Sequence, residues 1–230
     1  MKKAIDISNW QGDLASSVFE AWKAEGIQTV ICGTDGAPPL FVPQADKAIA
    51  AGLNTEAYIY LYFGQGGAAY DVVGRTEGKL DLIGTVPGIK RVWIDCEDTS
   101  SGLQPADIVA LIAGARDAVQ ARGYECGIYT GRWFWVPYTA GEKGFWDLDL
   151  WHADYTTGET LDMEPFGGWN VAYRHQYTDK GMAGGISPLD LNVENDIKPA
   201  VEPVQDEYLR GRTDAINAMQ AALDALKESK

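Results

Sequence analysis

Two carboxylates two residues apart, Asp95 and Glu97, close the run Arg91-Val-Trp-Ile-Asp-Cys-Glu97. An apolar run of this length reads as a β-strand, where alternate residues share a face, so Asp95 and Glu97 point one way and Cys96 the other. At ~3.3 Å per residue the two acids stand roughly 6.6 Å apart along the strand. Each disfavours ionisation of the other, and burial raises the pKa of either one further. A carboxylic acid kept protonated beside an ionised one is what protonation of a glycosidic oxygen requires. Asp6 and Asp190 also lie at the ends of short apolar runs, giving four acids suited to a glycosidase cleft. A lone strand-end Asp would more simply accept backbone hydrogen bonds. Clustered carboxylates also suit a hard cation such as magnesium or calcium. Four acids on converging strand ends favour acid–base chemistry over both. Transition-metal hydrolysis lacks its ligands, because the histidines are His152 and His175 and neither HExxH nor CxxC occurs. No metal and no cofactor is expected.

The elements that must position these acids alternate. Strand-like runs at Ala4 to Ser8, Thr29 to Gly33, Ala57 to Phe63, Arg91 to Asp95, Cys126 to Thr130 and Leu148 to Ala153 are separated by helical patterns. The helices are expected at Ser17 to Glu25, Pro43 to Ala51, Ala68 to Ile83 and Pro105 to Arg122, several closing at a glycine such as Gly26, Gly52, Gly84 or Gly123. After Thr130 the helical patterns thin out. Shorter strands through Trp169 to Tyr177 and Leu189 to Val193 follow, joined by loops rich in Gly, Asp and Thr. This order suits an α/β fold, an irregular TIM-like (β/α) barrel whose last third departs from the repeat. In such barrels the site lies at the C-terminal ends of the strands, and closure would set Asp190 on the last strand beside Asp6 on the first. An open doubly wound sheet would leave these two acids far apart.

The chain has 230 residues, 46% of them hydrophobic, enough for one substantial core spanning 1–198. A formal charge of −14 argues against nucleic-acid binding, which calls for a basic face, and gives no bulk attraction towards an anionic bacterial envelope. Cys32, Cys96 and Cys126 cannot all pair, and each falls in a strand-like run, so buried reduced thiols are expected. No secretory signal is read at Met1-Lys-Lys-Ala-Ile-Asp6, and no segment is long and apolar enough to enter a membrane. Cytoplasmic synthesis is therefore the expectation. Pro199 and Pro203 begin a second segment, 199–230, where Ile216, Met219, Leu223 and Leu226 are spaced as on one face of an amphipathic helix. That helix either packs on the barrel or mediates self-association or virion assembly.

Eight tryptophans and eleven tyrosines cluster in the expected strand ends and loops. Most should serve the core, where large aromatics dominate. Gly64-Gln-Gly-Gly67 lacks the lysine and hydroxyl of a phosphate loop and reads as a turn.

A set of motifs in order carries a resemblance. Asp6-Ile-Ser-Asn-Trp-Gln-Gly12, Thr34-Asp-Gly36, Ile94-Asp-Cys-Glu97, Gly127-Ile-Tyr-Thr130, Trp151-His-Ala-Asp-Tyr155, His175-Gln-Tyr-Thr178 and Leu189-Asp-Leu-Asn192 resemble, across most of Ile5 to Val193, the family 25 glycoside hydrolases. These are lysozymes or N-acetylmuramidases common in bacteriophages and bacteria. Asp35 stands where members usually carry Glu, and the third strand lacks their frequent histidine. The resemblance implies a barrel of five βα units with closing strands. It also implies hydrolysis of the β-1,4 bond between N-acetylmuramic acid and N-acetylglucosamine in bacterial peptidoglycan. By the same carry-over Glu97 is the general acid. Asp95 either orients a substrate acetamide that attacks the anomeric carbon or, like Asp190, is itself the nucleophile. Asp6 and Asp190 line the cleft, with Asp35 also on the substrate. Tyr62, Tyr129, Trp151 and Tyr155 are the expected sugar-binding walls. The expected setting is a phage endolysin or a virion-associated lysin acting on the host cell wall. The alternative is a catalytically idle glycan-binding or virion structural protein, and a related one is a glycosidase of another polymer.

Overall fold

The structure, a computed structural model, describes residues 1–195. The expected linker and helix of 199–230 lie outside the described residues. Eight strands close a barrel: β1 Lys2–Ile7, β2 Ile27–Gly33, β3 Asn54–Tyr60, β4 Arg91–Asp95, β5 Glu125–Thr130, β6 Asp149–Ala153, β7 Arg174–Ala183 and β8 Ile186–Glu194. Neighbours β1 to β7 pair in parallel in chain order, and β8 closes the ring antiparallel to both β7 and β1. Helices α1 Ser16–Ala24, α2 Phe41–Ala50, α3 Val72–Ile83, α4 Pro105–Ala121 and α5 Arg132–Tyr138 connect the first six strands, giving the five βα units. No helix of the described residues is long and apolar enough to cross a membrane.

Strand alternation divides the interior in two. Outward residues such as Ile5, Ile7, Val30, Cys32, Ile59, Val92, Ile94 and Ile128 pack under the helices in one large apolar layer. Inward residues Ala4, Ile31, Trp93, Tyr129, Trp151 and Ala153 fill the barrel. Two strand glycines make that filling possible. A Cβ on Gly33 would meet the Tyr58 ring at 2.6 Å, and one on Gly127 would meet the Trp93 ring at 2.3 Å.

Charges also enter the barrel. Arg174 of β7 is 0% exposed and contacts Glu56 of β3 at 2.8 Å and Glu194 of the adjacent β8. The Trp93 indole donates to Glu56 at 2.6 Å and the Thr29 hydroxyl donates to Glu194 at 2.8 Å, so both carboxylates have further partners. The guanidinium lies 5.1 Å over Trp93 and 5.5 Å over Trp151.

Five elements differ from the sequence expectation. β3 runs Asn54–Tyr60 rather than Ala57 to Phe63, because the chain leaves the ladder after Tyr60 and the Phe63 N–H donates to Asp98 at 3.0 Å. α3 begins at Val72 rather than Ala68, because Asp71 caps it by accepting from Gly74 N–H at 2.9 Å, while Ala68–Ala69 pairs with Gly64–Gln65 across the glycine turn. α5 is an added helix, disguised by Pro137 and an aromatic run with no polar face. β7 begins at Arg174, since Trp169 is held in a separate turn with Phe166 and donates to Leu148 C=O at 2.9 Å. β8 begins at Ile186, which puts Asp190 in mid-strand rather than at a strand end. Cys32, Cys96 and Cys126 are free thiols.

Arg174→Met should destabilise the barrel by ~3–5 kcal/mol, because it leaves two buried carboxylates without their cation. Urea unfolding of this variant beside wild type measures the loss, and an unchanged midpoint would show that the buried charges are not coupled to folding.

Candidate active site

The inward residues at the C-terminal mouth of the barrel form a small polar cavity of about 160 Å³, lined by Asp6, Tyr58, Asp95, Glu97, Tyr129, Trp151, Tyr155, Gln176 and Asp190. All four sequence-predicted acids therefore meet. Asp6 and Asp190 are direct register partners across β1 and β8, as barrel closure requires. Asp95 ends β4. The next residue stays in the ladder, with Cys96 N–H donating to Tyr129 C=O at 2.9 Å and Cys96 C=O accepting from the Thr130 hydroxyl at 2.8 Å. This keeps the backbone extended, turns Cys96 outward into the apolar layer and delivers Glu97 to the same mouth as Asp95.

The acids sit in unequal surroundings. Asp6 accepts from Asn192 Nδ2 at 2.7 Å and from Gln176 Nε2 at 3.0 and 3.1 Å. Burial and the facing Asp190 nonetheless push Asp6 well above the ordinary carboxylate range. Burial also raises Asp190, to about 6, although a hydrogen bond from Asp6 favours its ionised form, so the pair holds one proton between its members. Asp95 is raised strongly by burial, then by Glu97, Asp6 and Asp35, and its Oδ1 is buried without a hydrogen-bond partner. Glu97 is raised by burial and by Asp190 and is only partly buried. Among the described residues it has no hydrogen-bond or ion-pair partner, so its carboxyl is free to meet a ligand. This is a set of neighbouring acids of which some stay protonated while others ionise, the prerequisite of general acid–base chemistry. Among the described residues no group of three His, Cys, Asp or Glu side chains is placed to hold a metal ion.

A second cavity of about 560 Å³ shares Glu97, Tyr129 and Tyr155 with the first and extends past Arg132, Trp133, His152 and Thr156. Burial and the stacked ring of His175 hold His152 down at about 4, so at neutral pH it lines this cavity uncharged. The wall at Asp154–Thr160 is pinned from below. His175 Nδ1 lies 2.5 Å from Thr160 O, and its Nε2 lies 2.7 Å from Asp154 O.

The predicted aromatic walls separate into two kinds. Tyr62 and Tyr155 are about half exposed; Tyr155 lines both cavities and Tyr62 lies outside them. Tyr129 and Trp151 are nearly buried and form the floor instead. Trp151 is 2% exposed and donates to Asn192 Oδ1 at 2.7 Å, and its ring contacts those of Tyr58, Trp93 and Tyr129, so it has little surface left for a sugar face. Asp35 lies outside the carboxylate cavity, paired with Lys79 at 3.0 Å.

Several contributors were not among the site residues expected from the sequence, although Gln176 lies in one of the motifs that carry the resemblance. Gln176 is the hub of the floor: its Oε1 accepts from Tyr129 and Tyr155 hydroxyls at 2.8 and 2.7 Å while its Nε2 holds Asp6. Asp98 accepts from Phe63 N–H at 3.0 Å and Ser100 N–H at 2.9 Å, fixing the backbone just after Glu97 to the loop after β3. Trp133, half exposed beside Glu97 in the larger cavity, is a ring available for stacking.

The model of Glycosyl hydrolases family 25 matches residues 5–186, more than half of the chain, from within β1 to the first residue of β8. The chain belongs to this family. A curated relative, the probable GH family 25 lysozyme 4 of Dictyostelium discoideum, is 34% identical over 103 residues. That alignment takes in 44% of this chain and 47% of the relative, so the chain matches about half the length of that protein. Among solved structures, a family GH25 lysozyme from Aspergillus fumigatus superposes with a TM-score of 0.68 at 25% identity, covering 85% of this chain and 94% of its own. A muramidase from Trichobolus zukalii gives 0.68 at 23% identity, covering 86% and 95%. The family 25 barrel is thus present almost whole, with its acids at the mouth.

The raised carboxylates carry a stability consequence. Asp190 binds its proton more tightly folded than unfolded, so between its ordinary value of 3.8 and about 6 the folded state holds the extra proton and stability falls as pH rises. Asp190→Asn removes that penalty. It should stabilise the protein by roughly 1–3 kcal/mol at pH 8 and by much less at pH 4. Thermal unfolding at the two pH values gives the comparison, and a gain independent of pH would contradict the assignment.

Proposed function

We propose that the protein is a muramidase, hydrolysing the β-1,4 bond between N-acetylmuramic acid and N-acetylglucosamine in bacterial peptidoglycan. The observation that carries this reading is the contrast within one pair. Glu97 is raised, partner-free and partly exposed where two cavities meet, while Asp95 beside it is buried with one oxygen unpartnered.

In this mechanism Glu97 gives its proton to the glycosidic oxygen as the C1–O bond breaks, and the leaving sugar departs with a hydroxyl. The 2-acetamido oxygen of the sugar left behind attacks C1, and its N–H donates to Asp95 Oδ1, which thereby gains the partner it lacks. Asp95 Oδ1 accepts from that N–H as positive charge builds on the cyclised acetamide, so the hydrogen bond is strongest when the acetamide is bonded to C1. Glu97, now ionised, takes a proton from water as the water oxygen bonds to C1, and the acetamide is released. Asp190 acts on Glu97 through its charge, and Asp6 acts on Asp190 through the hydrogen bond between them. The half-exposed rings of Tyr155 and Trp133 supply faces for the sugars beside the cut. Endolysin and virion-associated lysin, the two settings expected from the sequence, require this same bond cleavage.

Glu97→Gln is nearly isosteric but has no acid proton, and its turnover should fall ~10²–10⁴-fold while folding and glycan binding persist. Digestion of purified peptidoglycan, with new reducing ends identified by mass spectrometry, is the test. Muramic acid ends from wild type alone support the mechanism. No cleavage by either protein, with glycan still bound, would instead favour a glycan-binding scaffold. A second outcome concerns pH. The rate should fall on the alkaline side as Glu97 loses its proton, and because the Asp190 charge raises Glu97, Asp190→Asn should move that limb to lower pH. A limb that stays in place would mean that another group is the acid.

A further inference from the structure

A third cavity, of about 470 Å³, lies beside the carboxylate site on the side away from Trp133. It is lined by Asp35 and Pro39 from the loop after β2, by Ile59 to Tyr62 at the end of β3, and by one face of α3. It adjoins the catalytic acids, since Tyr60 in its lining is the register partner of Asp95 across β3 and β4. Three features give it a chemistry different from the sugar-binding mouth.

Its walls are mainly aliphatic, with Ile59, Leu61, Val72 and Leu82 beneath the rings of Tyr60 and Tyr62. The face of α3 that closes it carries Val72, Arg75, Thr76, Lys79 and Leu82 at helical spacing, and in their midst stands Gly78. A Cβ on Gly78 would meet no atom within 4 Å, so the missing side chain leaves open space in that face. Polar groups around this apolar floor are under-used. Asp35 Oδ2 and Thr76 Oγ1 have no hydrogen-bond partner. Lys79 is paired with Asp35, but Arg75 has no carboxylate partner among the described residues and rests only over the Tyr70 ring, at 4.4 Å. On a chain of formal charge −14, an unpaired guanidinium lining an apolar crevice is a local exception that favours an anionic ligand.

We propose that this crevice binds the short peptide branch of the glycan substrate, with aliphatic side chains against Pro39, Leu82 and the rings of Tyr60 and Tyr62, over the open space at Gly78, and a peptide carboxylate at Arg75. The assignment rests on the muramidase reading for the identity of the glycan. It makes the enzyme select strands that still carry peptides over bare sugar chains. A saturated sugar ring would leave the aliphatic floor and the guanidinium unmatched, whereas a peptide of alternating amides, small alkyl groups and carboxylates matches each of them.

The test is a calorimetric titration of the full chain with N-acetylmuramoyl-L-alanyl-D-isoglutamine and, separately, with N-acetylmuramic acid. Wild type should bind the peptide-bearing ligand at least ~10-fold more tightly, the gain of a single charge-assisted contact with apolar burial. Gly78→Phe, which fills the open space, and Arg75→Gln, an exposed change, should each erase most of that advantage and leave the bare sugar unaffected. Replacing a mid-helix glycine also favours α3 intrinsically, so loss of fold is not the expected cause. Equal affinity of wild type for the two ligands, or an advantage retained by both variants, overturns the proposal. Failure of the muramidase reading registers elsewhere, as absence of new reducing ends when wild type is given peptide-bearing peptidoglycan.

Discussion

A guanidinium with no exposed surface, held inside the barrel by two carboxylates from different strands, is the interaction on which the rest of the architecture depends. Arg174 joins β7 to β3 across the barrel and to β8 beside it. Three buried charges carry a large desolvation cost, which is offset only when every oxygen and N–H has a partner. The Trp93 indole, the Thr29 hydroxyl and the two aromatic faces around the guanidinium complete that requirement. The network therefore tolerates one register of β7 and β8 against the parallel strands. Because inward residues recur every second position, that register also sets the layer above it. Gln176 stands two residues beyond Arg174, Asn192 two before Glu194, Tyr58 two beyond Glu56 and Asp95 two beyond Trp93. The mouth of the barrel is thus positioned from its base.

That upper layer concentrates negative charge where water is scarce, and its partners are distributed unevenly. Asp6 receives both side-chain amides of the layer. Asp95 receives none at Oδ1, and Glu97 none at all among the described residues. Burial raises every one of these acids, so the mouth binds protons at pH values where exposed carboxylates have released them. The fold sustains this strain because the electrostatic cost at the mouth is met by packing beneath it, where Trp151, Tyr129 and Trp93 interlock.

Much of this was legible in the residues. The two-residue spacing of Asp95 and Glu97, and the acids Asp6 and Asp190 on the first and last strands, pointed to a closed barrel with a carboxylate mouth, and alternation placed Cys96 on the opposite face, although Asp190 stands in mid-strand rather than at a strand end. What escaped depended on partners distant in sequence. Gln176 and Asn192 are ordinary amides until barrel closure brings them to Asp6, and Arg174 gives no hint of burial because its two acids lie on other strands. Trp151 has the composition of a sugar platform, but the neighbouring Trp93 and Tyr58 enclose it, so it became floor. α5 was hidden by its own aromatics, because Trp133 and Val136 stand on its exposed face while Phe134 and Trp135 pack against Phe63, Phe145 and Trp169. Asp35 had the right sequence neighbourhood but a different cavity, because Lys79 of α3 draws it towards the helix.

The antiparallel last strand also sets an order in time. Asp6 lies on the first strand to leave the ribosome and Asn192 on the last of the barrel, 186 residues later. At ordinary rates of synthesis that interval is on the order of 10–40 s. Through it the outer edge of β1 has no partner and the Asp6 carboxylate has neither amide donor nor facing acid. The cleft therefore comes into being only when β8 is inserted, and a nascent or truncated chain carries its acids without the arrangement that makes them reactive.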